Sequence, residues 1–130
     1  MLLSSLLKLQ VFYCLIGILF NVVSWVTIQN GHQALTPTIP HEGIIAMSTY
    51  GLFLLAGYFR KIGLYRLLMF ISILTLGYAG VIKNIMTLNQ HPELYTSTFI
   101  GIIGIAINLF GLVLNCIAAF GLFNSKSRTS

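Results

Sequence analysis

Residues 98–123 read TFIGIIGIAINLFGLVLNCIAAFGLF, a stretch without a single charged side chain. A bilayer hydrocarbon core of about 30 Å is crossed by ~20 helical residues, so this segment alone is long enough to span one. Its small and polar residues follow a pattern: Gly101, Gly104, Asn108, Gly111, Asn115 and Ala118 recur at alternating steps of three and four. That spacing lines them along one face of a helix, where another backbone can approach closely and asparagine amides can hydrogen-bond across the contact. A membrane helix with such a face implies other helices to pack against.

Three further stretches meet the length requirement: Leu9–Ile28, Gly43–Phe59 extended by a turn from Pro40, and Leu67–Met86. The joints at 29–39, 60–66 and 87–97 are short enough for neighbouring antiparallel helices. The expected fold is therefore an all-α membrane protein, a four-transmembrane-helix up-down bundle forming a single domain over residues 1–130, with spans about 9–28, 40–59, 67–86 and 98–123. Lys8 ahead of an apolar run resembles the start of a signal peptide, but no small-residue cleavage site follows, which favours an uncleaved first helix.

Composition agrees. Of the residues, 57% are hydrophobic and 7% charged, against about a quarter charged in soluble domains. The net charge of +5 would suggest nucleic acid in a soluble chain. Here Lys and Arg flanking spans account for it, and no basic stripe exists to follow a phosphate backbone. Cys14 and Cys116 both lie in apolar runs and read as buried free thiols.

Orientation follows from the basic residues. Lys8, Arg60, Lys61, Arg66, Lys126 and Arg128 fall on one side and only Lys83 on the other, which puts both termini in the cytoplasm. Lys83 lies ~24 Å along its helix from Leu67 at ~1.5 Å per residue, close enough to the outer boundary to snorkel. Trp25 and Tyr95 are expected in the outer aromatic belt, and Tyr13, Tyr58 and Tyr65 in the inner one.

The first helix carries a polar face of its own in Gln10, Cys14, Gly17, Asn21 and Ser24, and the third a weaker one in Ser72, Thr75, Ala79 and Lys83. Asn21 and Asn108 match in depth near the midplane, and the segments IGILFN (16–21) and IGIAIN (103–108) resemble each other. These asparagines read as helix-to-helix hydrogen bonds, with a polar track for a substrate as the alternative.

All three histidines and both acids fall in the two outer loops: His32, His41 and Glu42 in one, His91 and Glu93 in the other. Imidazole and carboxylate are ordinary metal ligands, so these five residues are the candidate ligand-binding set. Geometry offers a plainer account. Pro40 and Pro92 each suit the first position of a helix, which would put Glu42 and Glu93 in first turns, at the positive end of a helix dipole. The chain has no Asp, no H-E-x-x-H and no Ser/His/acid set, so an enzyme has little to stand on. The expected function is an accessory, assembly or oligomer-forming subunit of a membrane complex, partnered by lipid, by other subunits or by itself. A small homo-oligomeric channel or transporter is the first alternative, and a metal- or lipid-binding enzyme subunit using the outer loops is the second. The charge bias, the small size and the absence of N-x-[ST] point to a bacterial inner membrane.

Overall fold

The computed structural model describes residues 1–125, so Lys126 and Arg128, used for the orientation, lie outside the described residues. The chain is helical: α1 spans Leu3–Gln29, α2 Pro40–Tyr58, α3 Ile62–Gln90 and α4 Thr98–Ala119. A three-residue 3-10 turn, Pro92–Leu94, precedes α4. No named strand occurs among the described residues, only an isolated bridge between Leu2 and Asn124. By length and composition α1, α3 and α4 could each cross a membrane. The shorter α2, at 19 residues, is not among them.

Each helix end has a local cause. Pro40 opens α2, where its missing N–H costs nothing, and Glu42 follows in the first turn. Ser97 caps α4, its side chain accepting from the Ile100 N–H at 3.1 Å. This corrects the reading of Pro92: it heads the 3-10 turn, not α4, so Glu93 does not sit on the α4 dipole. Three helices close in the same way. Leu122 N–H donates to Ile117 O and Gly121 N–H to Ala118 O, with Gly121 at φ +69°. This pair of bonds is the Schellman motif, which needs a residue in the left-handed region. Gly31 (φ 81°) closes α1 in the same pattern, and Arg60 (φ 60°), without glycine's freedom, closes α2. The Gly121 closure stops α4 at Ala119, a turn short of the expected Phe123. At the other end of the chain, α1 begins two turns early because Leu3 and Leu6 are buried in the core.

The long helix α3 is not uniform. It is α-helical over Ile62–Ser72 and Lys83–Gln90, and π-helical over Ile73–Ile82. π segments are rare and widen the helix by one residue per turn.

The helices pack as a ring: α1 against α2 and α4, and α3 against α2 and α4. At one end, called here the terminal end, Leu3 N–H donates to Asn124 O at 2.9 Å and Arg60 reaches the Ser125 carbonyl. At the other, the loop end, segments 30–39 and 91–97 meet. Thr96 N–H donates to Leu35 O at 3.1 Å and its hydroxyl to Ala34 O at 3.0 Å. Large apolar side chains face outward from every helix, among them Leu19, Trp25, Leu52, Leu74, Phe99 and Val113. An apolar perimeter of this extent is what lipid solvates and water does not.

Candidate functional site

The ring encloses two contrasting halves. In the terminal half the axis is filled by a hydrogen-bonded cluster. Gln10 of α1, Tyr50 of α2, Tyr65 of α3 and Asn115 of α4 are all but fully buried. Tyr50 donates to Asn115 Oδ1 at 2.6 Å, and Gln10 Nε2 reaches the same oxygen at 3.3 Å. Tyr65 donates to Gln10 Oε1, and Gln10 Nε2 also lies 3.1 Å from Met69 Sδ. One network thus ties both diagonals of the ring. Tyr13 stands edge-on to Tyr50, ring centres 5.3 Å apart. No buried side-chain N or O among the described residues lacks a partner.

The aromatic-belt reading of Tyr13 and Tyr65 is therefore corrected. Both are buried, because each hydroxyl finds an acceptor inside, and Tyr95 is buried with its hydroxyl 3.0 Å from Asn84 Oδ1. Trp25 and Tyr58 are exposed.

The loop-end half holds a cavity of about 190 Å³. Asn21 and Asn108 line it, together with Phe20, Met47, Gly104 and Glu42. Glycines make the asparagine positions possible. A methyl group on Gly43 would overlap the Asn21 amide, and one on Gly80 the Asn108 amide. Leu76, Ala79 and Gly80, all within the π segment, form part of the wall. One side of the cavity is loosely packed. α2 packs along Ile62–Ser72 of α3 but makes no comparable contact with Ile73–Gln90. Ala46 and the exposed Ala79 line the cavity where the two helices part.

On α4 the small-residue face is the buried one: Gly101, Gly104, Gly111 and Asn115 are buried and Asn108 is partly so. Gly111 takes the closest approach, since a Cβ there would enter the Tyr13 ring. Gly101 packs on Leu88 and Tyr95, and Gly104 has Phe20 at 3.4 Å from a built Cβ. Cys14 is buried with its thiol 3.2 Å from Met47 O, and Cys116 is half-buried; both are free.

The two loop-end segments that carry the histidines and acids meet, but through uncharged groups. Besides the Thr96 bonds, Gln33 Nε2 donates to the Glu93 carbonyl at 2.7 Å, while Leu35 N–H ties the first segment back to α1 by donating to Ser24 Oγ at 3.0 Å. His32 and His41 are exposed. His91 Nδ1 and Glu93 Oε1 pair at 3.1 Å on the surface. The Glu93 carboxyl lies below the usual carboxylate range, chiefly because it accepts from its own backbone amide and then from His91. Glu42 is separated from this pair and contributes instead to the cavity lining. Among the described residues no three His, Cys, Asp or Glu side chains come together as a metal-holding group. Sequence reading missed Tyr50, Tyr65 and Thr36 as interior polar groups. No local motif marks these three; the repeated Gly-x-x-x-Asn at 17/21, 80/84, 104/108 and 111/115 marks the asparagines alone. In the first three of these the asparagine amide donates to the glycine carbonyl four residues back.

Comparisons of the chain with protein-family models, with curated proteins and with solved structures find no match.

Proposed function

We propose that the chain is a multi-pass integral membrane protein of four spans, both termini cytoplasmic, that serves as an accessory or assembly subunit of a membrane complex. The observation that carries this reading is the division of polarity. The terminal-half interior spends its polar groups on its own helices, while the perimeter is apolar on every helix. Such a body offers its surroundings a broad packing surface, which suits a component that holds others in place.

The fourth span rests on connectivity. α1 and α3 both start at the terminal end, so the chain between them has to return, and α2 is the segment that does so. Its 19 residues rise ~28 Å, close to the ~30 Å of a hydrocarbon core. Lys8, Arg60, Lys61 and Arg66, all exposed, gather toward the terminal end, which supports placing that end in the cytoplasm and favours a bacterial inner membrane.

The decisive experiment is purification of the tagged chain in mild detergent, with quantitation of what accompanies it. A membrane partner, or further copies of the chain, at fixed stoichiometry is the expected result. A chain recovered alone and monomeric from both detergent and native nanodiscs would rule the reading out. The transporter alternative is weakened by the filled axis of the terminal half, which leaves a path only between copies. For the metal- or lipid-binding alternative, the contact that speaks is the surface pair His91–Glu93, and His32, His41 and Glu42 join it in no group of three among the described residues.

A further inference from the structure

The polar lining of the loop-end cavity combines the Glu42 carboxylate with asparagine amides and the hydroxyl side chains Thr36, Thr38 and Tyr95, and includes no cation among the described residues. The amide nitrogens of Asn21 and Asn108 donate to Gly17 O at 2.8 Å and Gly104 O at 3.0 Å. A backbone carbonyl only accepts, so each amide must present its nitrogen to that carbonyl and turn its oxygen the other way. The Asn108 oxygen meets the Tyr13 hydroxyl at 3.5 Å, the outer limit of a hydrogen bond. The Asn21 oxygen lies against Gly43, next to Glu42. Glu42 adds a full negative charge, and no Lys, Arg or His is among the described residues lining the space. Phe20, Met47 and Leu76 supply apolar wall.

We propose that this cavity binds a small primary amine with a short apolar body, admitted sideways between α2 and α3. The ammonium group sits at Glu42 and Asn21, where its three N–H donors meet the carboxylate and the amide oxygen. The hydrocarbon part lies against Phe20, Met47 and Leu76. Two features select this chemistry. The Glu42 carboxylate with no Lys, Arg or His among the described lining residues favours a positively charged head over a carboxylate or phosphate. A volume of about 190 Å³ suits a ligand somewhat larger than benzene, which fills a cavity of ~150 Å³, and is too small for a lipid chain. The loosely packed side between α2 and α3 faces the hydrocarbon in the four-span arrangement, where such amines partition. The binding chemistry itself does not depend on whether the chain is a complex subunit.

The test uses the full chain in phosphatidylcholine nanodiscs and a hexylamine derivative bearing a diazirine. Light-driven labelling should saturate and map to peptides containing residues 36–47 and 76–84. Unlabelled hexylamine should compete, and hexanol and hexanoate should not. Glu42→Gln should weaken labelling about ten- to hundredfold, the range for loss of one charge-assisted hydrogen bond. Ala46→Leu, which fills the lining where α2 and α3 part, should abolish it. Folding of each variant is checked by thermal unfolding, and the competition series on the unmodified chain stands whatever the variants do. Labelling that does not saturate, or hexanol competing as well as hexylamine, would overturn the proposal. Adding phosphatidylethanolamine to the nanodiscs separates the two sources of an ammonium group. Competition by that lipid would assign the site to a headgroup and refute a free amine.

Discussion

At the scale of the residue, Asn115 is one of the two side chains, with Gln10, on which the interior network converges. Its Oδ1 accepts from Tyr50 and from Gln10, and through Gln10 it is joined to Tyr65. Replacing it with Leu takes the acceptor from the buried Tyr50 hydroxyl and leaves Gln10 Nε2 only the Met69 sulfur, at ~1–3 kcal/mol for an unpaired group in a low-dielectric site. Asn115→Leu should therefore lower the thermal midpoint in detergent clearly, while Ile102→Leu, at an exposed position, should leave it within error. Equal shifts would show the network to be energetically idle. The glycines of α4 are likewise unequal. Gly111→Ala drives a methyl into the Tyr13 ring and should destabilise by ~2 kcal/mol or more, the cost of overpacking. Gly104→Ala meets only ordinary contact beside the cavity and should be tolerated. Midpoints of the two variants, measured side by side, check the difference.

At the scale of the element, helix ends obey local rules and helix interiors do not. The Schellman closures at Gly31 and Gly121 could be placed from glycine and the preceding apolar run alone. Nothing lies within 4 Å of a Cβ built on Gly31, so its substitution isolates the backbone term. Gly31→Ala should cost ~1 kcal/mol for holding alanine in the left-handed region, and its unfolding midpoint should fall accordingly. No change would mean that the loop relaxes to another closure. The π segment Ile73–Ile82 had no such signature. Its glycines, Gly77 and Gly80, receive Leu112 and Asn108 of the facing helix.

At the scale of the whole molecule, the arrangement of charges makes a prediction about topology. A reporter fused at the C-terminus or after Gly63 should read as cytoplasmic, and one after Gln33 as external. A cytoplasmic signal at Gln33 would overturn the orientation and with it the return of the chain through α2. The closed terminal half and the open loop-end half also predict a one-sided accessibility. Maleimide should label a cysteine placed at Thr38 far faster than one placed at Leu6, which is wholly buried. Comparable rates would show that the terminal half is not closed.

From the sequence alone, the four helices, half of their limits and the small-residue face of α4 were legible, whereas the starts of α1 and α3 and the ends of α3 and α4 were not. In hydrocarbon each backbone N–H must bond within its own segment, so apolar length and a period of three to four are sufficient signals. Sequence could not say which tyrosines turn inward. Tyr13 and Tyr65 go inside because Asn108 and Gln10, 95 and 55 positions away, offer them acceptors. Nor could it separate Glu42 from Glu93, each within two positions of a histidine and a proline. Tertiary structure decided that, by parting α2 from the second half of α3 and opening a space for one carboxylate and not the other. Backbone satisfaction is settled within a turn of helix, whereas a side chain's partner depends on which distant helix arrives beside it.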